Sequence, residues 1–349
     1  MVGLDVPRLL ALATSYPTHI LRQDDVARGA AKLFARVEKG FERFVPVYRN
    51  AAIETRHSSV PLEWYLSEQG FAARNALYIE TALTILEQAA GKALKDAGLG
   101  AGDIDGIITV SSSGIATPSL DARLMERMAF RSDVQRTPIF GLGCAGGVLG
   151  LGRAAALARS EAGSRVLLLV VELCGLTFRR GDSSRSNLIA TALFGDGAAA
   201  AIISTAGDGP ALGPWGEHTF PHSLDVMGWQ VADDGLKVLF SQDIPTLVKN
   251  KMRDVTVDFL RRHDQTLADL DGFVCHPGGA KVLDALEACY GLPAGGLVHA
   301  RNVLREHGNM SAATVLFVLR ASMDAGFSGR HLMTSLGPGF TAAFLMLNA

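Results

Sequence analysis

The 349-residue chain repeats itself, and that repetition limits its possible folds more than any other feature. Ile104-Asp105-Gly106-Ile107-Ile108 returns as Leu270-Asp271-Gly272-Phe273-Val274. Gly143-Cys144-Ala145-Gly146 returns as Gly308-Asn309-Met310-Ser311, each ahead of a small-residue helix. Arg165 returns as Arg330, and Gly195-Asp196-Gly197 as Gly337-Pro338-Gly339, each ahead of a strand. The spacing is kept as well: Asp105 to Cys144 is 39 residues and Asp271 to Asn309 is 38, while Cys144 to Arg165 and Asn309 to Arg330 are both 21. Four matches in order, at matched spacing, mark two copies of one unit.

The unit is α/β. In the first copy the pattern alternates strand 106–110, helix 119–128, strand 138–140, helix 145–162 and strand 166–171, and the second copy repeats it. Apolar strands alternating with helices imply layered packing. Gly207, Gly209, Pro210, Gly213 and Pro214 mark a linker over 204–216, which gives halves 1–205 and 206–349. Residues 1 to about 75 read as a helical and irregular lead-in, with Val26, Leu33, Phe34, Val37, Phe41 and Phe44 at helical spacing after Asp24-Asp25. A helix over 75–97 ends at Gly98. The first copy carries an extra segment, 172–194, at strand ends where substrate contacts tend to lie.

Composition excludes several classes. With 48% hydrophobic and 19% charged residues the chain is compact, and a net charge of −2 gives no electrostatic footing for nucleic acid. Four cysteines without a basic-then-apolar leader imply free thiols in a reducing cytoplasm. The longest apolar run, around 166–171, is too short to span a bilayer, which takes about 20 residues. Transient association with a membrane or a fatty-acid synthase stays open.

Cys144 stands at a helix start, where free backbone N–H groups and the helix dipole favour a thiolate. Alone, it reads equally as a small packed thiol. His276 ends the strand 272–275 ahead of Pro277-Gly278-Gly279, and Asn309 precedes a helix for which it is also a natural N-cap. A pseudo-twofold arrangement of the copies puts Cys144 and Asn309 at matching helix starts, with His276 nearby. Thiol, imidazole and amide together suit acyl transfer: attack on a thioester, with donors for the developing oxyanion.

Leu142-Gly143-Cys144-Ala145-Gly146, Cys275-His276-Pro277-Gly278-Gly279, Gly308-Asn309-Met310-Ser311-Ala312 and Leu336-Gly337-Pro338-Gly339-Phe340-Thr341 together resemble the type III polyketide synthases, the chalcone and stilbene synthase family. The resemblance covers nearly the whole chain and is weakest before residue 75. It implies the thiolase fold, two duplicated α/β halves in an αβαβα arrangement, and a homodimer. It also implies Cys144 as acyl-accepting nucleophile, held as thiolate by His276, with His276 and Asn309 binding the malonyl-CoA carbonyl during loss of CO2. The resulting enolate attacks the Cys144 thioester, and the poly-β-keto chain cyclises without metal or redox cofactor. CoA thioesters, malonyl-CoA and an acyl-CoA starter, are the substrates.

The same resemblance assigns Phe194 as the aromatic gate between CoA tunnel and cavity, and Leu336, Gly337, Pro338 and Gly339 as the cyclisation wall. Arg43, Arg49, Gly278 and Lys281 become candidate CoA contacts. Plant members usually have Phe where Leu336 stands, Thr where Cys174 stands, and Met where Thr117 stands. Glu172 to Phe178, with Cys174 and Thr177, and Asn187 to Thr191 are similar to bacterial alkylresorcinol and alkylpyrone synthases. Smaller residues at these places imply a long alkyl tunnel and a fatty acyl starter. Two alternatives share the fold: an initiating ketoacyl-carrier-protein synthase, whose His-Gln-Ala-Asn segment is replaced here by His276-Pro277-Gly278-Gly279, and a catalytically silent scaffold subunit.

Overall fold

The computed structural model describes residues 6–34 and 45–349. The first half contains β1 (Arg8–Ser15), β2 (His19–Arg22), α1 (Gln23–Phe34), α2 (Val45–Arg49), β3 (Thr55–Ser58), α3 (Phe71–Asp96), β4 (Gly106–Val110), α4 (Leu120–Leu124), β5 (Gln135–Ile139), α5 (Gly146–Ala158), β6 (Arg165–Leu173), α6 (Arg185–Leu193) and β7 (Asp196–Ser204). The second contains β8 (Ala211–Thr219), β9 (Met227–Ala232), β10 (Gly235–Phe240), α7 (Ile244–Arg261), β11 (Gly272–Cys275), α8 (Ala280–Tyr290), α9 (Val298–His307), α10 (Thr314–Asp324), β12 (Arg330–Gly337) and β13 (Thr341–Asn348).

The strands run β11-β12-β13-β8-β1-β7-β6-β4-β5. Read outward from the centre, β1-β7-β6-β4 mirrors β8-β13-β12-β11, and the half-sheets are joined through the pairing of Arg8 with Ala211, where Leu9 N donates to Pro210 O and Leu212 N to Pro7 O. In both halves the repeated Asp makes the same contacts. Asp105 accepts from Arg165 N at 2.8 Å and donates its N–H to Arg165 O at 2.9 Å; Asp271 and Arg330 do so at 2.7 and 2.7 Å. The duplication read from the sequence is therefore physical.

Helix α5 packs on strands of both halves, and α10 packs on β1, β7 and β11, so this pair forms the middle layer. Helix α3 covers the first half-sheet, and α7 and α8 lie over the second. These are the five layers of a thiolase-like fold. The small residues of β7 permit it: Ala199, Ala201 and Ile203 join the core on one face, and Ala198, Ala200 and Ile202 that on the other.

Two sequence expectations need correction. The lead-in is not merely helical and irregular, because β1 is a central strand paired antiparallel with β7. Leu9 and Leu12 enter one core and Ala11 and Ala13 the other, with a register shift between Leu9 and Ala11, so burial on both faces hides the alternation that betrays a strand. The linker is shorter than 204–216, since Gly213 and Pro214 lie inside β8. Val37, Phe41 and Phe44 lie outside the described residues.

Candidate active site

Cys144 sits in a 3-10 turn, Gly143–Ala145, between β5 and α5. Gly143 has a φ of +45°, and a Cβ there would meet Pro338 Cδ at 2.6 Å. One turn on, a Cβ at Gly147 would lie 2.3 Å from the Ala312 carbonyl oxygen. The starts of α5 and α10 thus touch backbone against backbone with no room to spare, and this contact joins the matching segments of the two halves. Ser335 Oγ donates to Cys144 O at 2.6 Å and fixes the turn from β12.

Both middle helices are entered through a three-residue 3-10 turn, but Cys144 lies inside the first while Asn309 stands two residues ahead of the second, Ser311–Ala313. Asn309 Oδ1 accepts from Ser311 N at 2.8 Å, so the amide does cap the turn. That bond orients the other end: Asn309 Nδ2 donates to Gly278 O at 3.3 Å on the wall of the site. His276 follows β11, with its N–H on Thr334 O at 2.9 Å. Its ring is buried, and among the described residues neither ring nitrogen has a partner. Cys144, His276, Gly278, Asn309, Ser335 and Leu336 line one cavity of about 420 Å³, with Met227, Ile244, Met252 and Leu286 as apolar wall.

Burial acts on both groups. It pushes the Cys144 thiol up to about 12, against the hydrogen bond from Cys144 Sγ to Ser311 Oγ at 3.7 Å. Burial also pushes His276 down to about 3. Desolvation of both groups thus works against the thiolate that the helix start favours. Glu172, at the end of β6, was not singled out in the sequence. Its Oε1 accepts from Ser311 Oγ at 3.3 Å and its Oε2 from Ser112 N at 3.0 Å, and burial raises it to about 7. A lone acid in the apolar run Val166–Leu173 was the available signal.

Phe194, Cys174 and Thr177 line a second, larger cavity of about 700 Å³, walled by α1, α6 and Leu62, Tyr65 and Leu66. Phe194 forms a backbone bridge with Asn309, and its ring meets Trp229 edge-on at 6.2 Å. Leu336 faces the Cys144 cavity, whereas Gly337 and Pro338 pack behind the nucleophile turn and Gly339 O accepts from Ser223 Oγ at 2.9 Å. Like Gly337, Pro338 and Gly339, three further assignments line neither cavity: Thr117 is exposed on the loop before α4, Arg49 is exposed at the end of α2, and Lys281 is exposed on α8. Arg43 lies outside the described residues.

Residues 5–207 match the N-terminal domain of chalcone and stilbene synthases, and residues 216–349 match the C-terminal domain. The chain belongs to the chalcone and stilbene synthase family. It is 36% identical to a putative chalcone synthase of Bacillus subtilis, over 97% of this chain and 98% of that one. It is 38% identical to the 1,3,6,8-tetrahydroxynaphthalene synthase of Streptomyces peucetius, over 97% and 92%. The crystal structure of the tetrahydroxynaphthalene synthase of Streptomyces coelicolor, a bacterial type III polyketide synthase, superposes with a TM-score of 0.93 at 30% identity, covering 98% of this chain and 99% of that one. The chain is thus a type III polyketide synthase, an acyltransferase of the Claisen-condensing kind. Among the described residues no helix is long and apolar enough to cross a membrane.

Proposed function

We propose that this synthase extends a long-chain fatty acyl-CoA with malonyl-CoA and closes the product to an alkylpyrone or alkylresorcinol. The observation that carries the reading is the 700 Å³ apolar cavity, lined by Cys174, Thr177 and Phe194 and separated from the Cys144 cavity by the Phe194–Asn309 bridge. Starter loading begins as Cys144 Sγ attacks the thioester carbonyl, its proton passing to the neutral His276 ring, and CoA leaves as its thiol. Malonyl-CoA then places its thioester oxygen against the His276 N–H and the Asn309 amide. Carbon dioxide leaves, the electron pair remains as an enolate held by those two donors, and the enolate carbon attacks the Cys144 thioester carbonyl; the C–S bond breaks, Cys144 leaves as its thiolate, and the β-ketoacyl-CoA so formed is passed back to Cys144 with release of CoA for the next round. The thioesters themselves supply the reactive groups, so the scheme uses no metal or redox cofactor.

Association as a homodimer belongs to the same proposal. Strand β5 is a sheet edge exposed over Gln135–Pro138, and Ile115 and Phe140 present apolar side chains beside it. Gel filtration with light scattering tests this, and a monomer overturns it.

A second reading has its own support. Relatives named for tetrahydroxynaphthalene and phloroglucinol make products without an alkyl tail, which favours malonyl-CoA as both starter and extender. Mass spectrometry of products formed from malonyl-CoA alone, and with a ladder of acyl-CoA starters, separates the two. Alkylated pyrones or resorcinols support the fatty-starter reading; aromatic polyols alone, unchanged by added starters, overturn it.

A further inference from the structure

Arg56, on β3, is a buried cation whose hydrogen bonds all go to neutral acceptors. Nη1 donates to Thr191 O and Phe194 O at 2.9 Å each, and Nη2 donates to Ala192 O at 2.9 Å and to Gln23 Oε1. The backbone acceptors are the last carbonyls of α6 and the residue after it, groups that a helix leaves unpaired at its negative end. Gln23 Nε2 adds a bond to Ala192 O at 3.1 Å. The neighbouring Ser59 holds the far side of the same segment, its N–H and Oγ donating to Asp196 Oδ2 at 2.8 and 2.7 Å. Phe194 is therefore clamped on both sides, from one short strand and the residue that follows it.

The clamped segment also carries Asn309. Asn309 N donates to Leu193 O at 2.8 Å, and Gly195 N donates to Asn309 O at 3.0 Å. At Gly195 a Cβ would lie 2.2 Å from His307 O, so the two backbones have no slack between them. A shift of the end of α6 must shift Asn309 with it.

We infer that Arg56 is a positioning residue, which holds the end of α6 so that the Phe194–Asn309 bridge keeps the Asn309 amide in place in the Cys144 cavity and keeps Phe194 on the wall of the larger one. Burying a cation with no carboxylate in hydrogen-bond contact is costly; Asp196 acts on it only at longer range, and the carbonyls it gathers are the main compensation. The inference rests on the reading above, in which Asn309 binds the malonyl thioester carbonyl.

The test uses the full chain with Arg56→Lys, which keeps the charge but cannot reach three carbonyls and Gln23 together. Malonyl-CoA decarboxylation should lose about tenfold or more in kcat with KM changed less than about threefold, the pattern of a misplaced transition-state donor. Cys144 alkylation by iodoacetamide, followed on that residue by mass spectrometry, should stay within about twofold, because the nucleophile turn is held from β12 instead. Gln23→Met should move kcat in the same direction by about threefold, and carries the test if the Lys variant does not fold. Unchanged kcat in the folded variants overturns the inference, as does a parallel fall of kcat, alkylation rate and melting temperature. A wild-type chain that never decarboxylates malonyl-CoA sinks the functional reading and this proposal with it, whereas an active wild type beside an unaffected variant overturns the Arg56 proposal alone.

Discussion

Between β6 and β7 the first half carries 22 residues, 174–195, whereas the second half closes the equivalent connection, β12 to β13, with three, 338–340. Up to that point β4, α5 and β6 agree with β11, α10 and β12 down to the hydrogen bonds of Asp105 and Asp271, although the second half has α9 and no strand where the first has β5, so the sequence pattern is not repeated in full. Beyond it, the long connection builds α6 and much of the larger cavity, while the short one wedges Pro338 against the nucleophile turn. At matched positions stand Cys144 and Asn309. The duplicated frame thus supplies position, and in the proposed function the divergent residues divide the labour: acyl holding in the first half, carbonyl binding from the second.

The largest expected effect separates those labours. Cys144→Ala should abolish chain loading and extension, a loss of at least about a thousandfold, while malonyl-CoA decarboxylation stays measurable through His276 and Asn309. Polyketide formed by that variant would remove Cys144 from the nucleophile role. Asn309→Ala is the complementary variant. Decarboxylation should fall by about 10²–10³ in kcat, as for loss of one oxyanion donor, while a radiolabelled starter still loads onto Cys144. Equal loss of loading and decarboxylation in either variant breaks the division between the halves.

Glu172 has no acidic twin in the second half, and its burial makes it a proton-linked element of the first. Its carboxyl is raised from 4.5 to about 7 in the folded chain. The folded state therefore binds the extra proton between those values, so stability falls as pH rises from about 4.5 to 7 and stays at the lower level above. Glu172→Gln lacks this slope. The stability difference between variant and wild type, from urea titrations, should shift in favour of the variant by up to about 3 kcal/mol between pH 4.5 and 8. A difference that does not change with pH would show the carboxyl to be unperturbed.

The two cavities can be set against each other. Cys174→Phe fills space in the larger one and should move the preferred starter to shorter chains by about tenfold in kcat/KM, with about 1–3 kcal/mol of lost stability from overpacking. Leu336→Phe narrows the Cys144 cavity instead, and should change ring closure or the number of extensions while leaving starter preference alone. If both variants alter starter length alike, the cavities do not act separately.

What the sequence made legible follows the range over which each signal acts. The repeat, Cys144, His276 and Asn309 are carried by local motifs, so spacing alone brought them together. Arg56 and Glu172 work through partners 135 and 139 residues away, Thr191 and Ser311, and nothing near them in the chain marks that use. Strand β1 escaped notice because both of its faces are buried and its register shifts, which leaves an apolar run with no period of two. The desolvation of Cys144 escaped for a different reason: a helix start is visible in sequence, but what packs around it is not.

The smallest effect bears on the frame itself. Asp105→Asn and Asp271→Asn each weaken one side-chain bond to the backbone N–H of the matching arginine, and a net loss of about 0.5–1.5 kcal/mol is the ordinary yield of such a bond. Asp105 also takes a bond from Arg131 at 3.0 Å, an exposed pair of little worth, so its loss should be slightly the larger. Neither residue approaches a cavity, so both variants should keep full activity, and their losses should add in the double variant because the sites lie in separate half-sheets. Urea titrations of the two single variants and the double one check this. A double variant that loses much more than the two together would mean that the half-sheets, joined at Arg8 and Ala211 and by the contact of α5 with α10, stand or fall as one unit, and the duplication would then be a fact of the fold's history and not of its energetics.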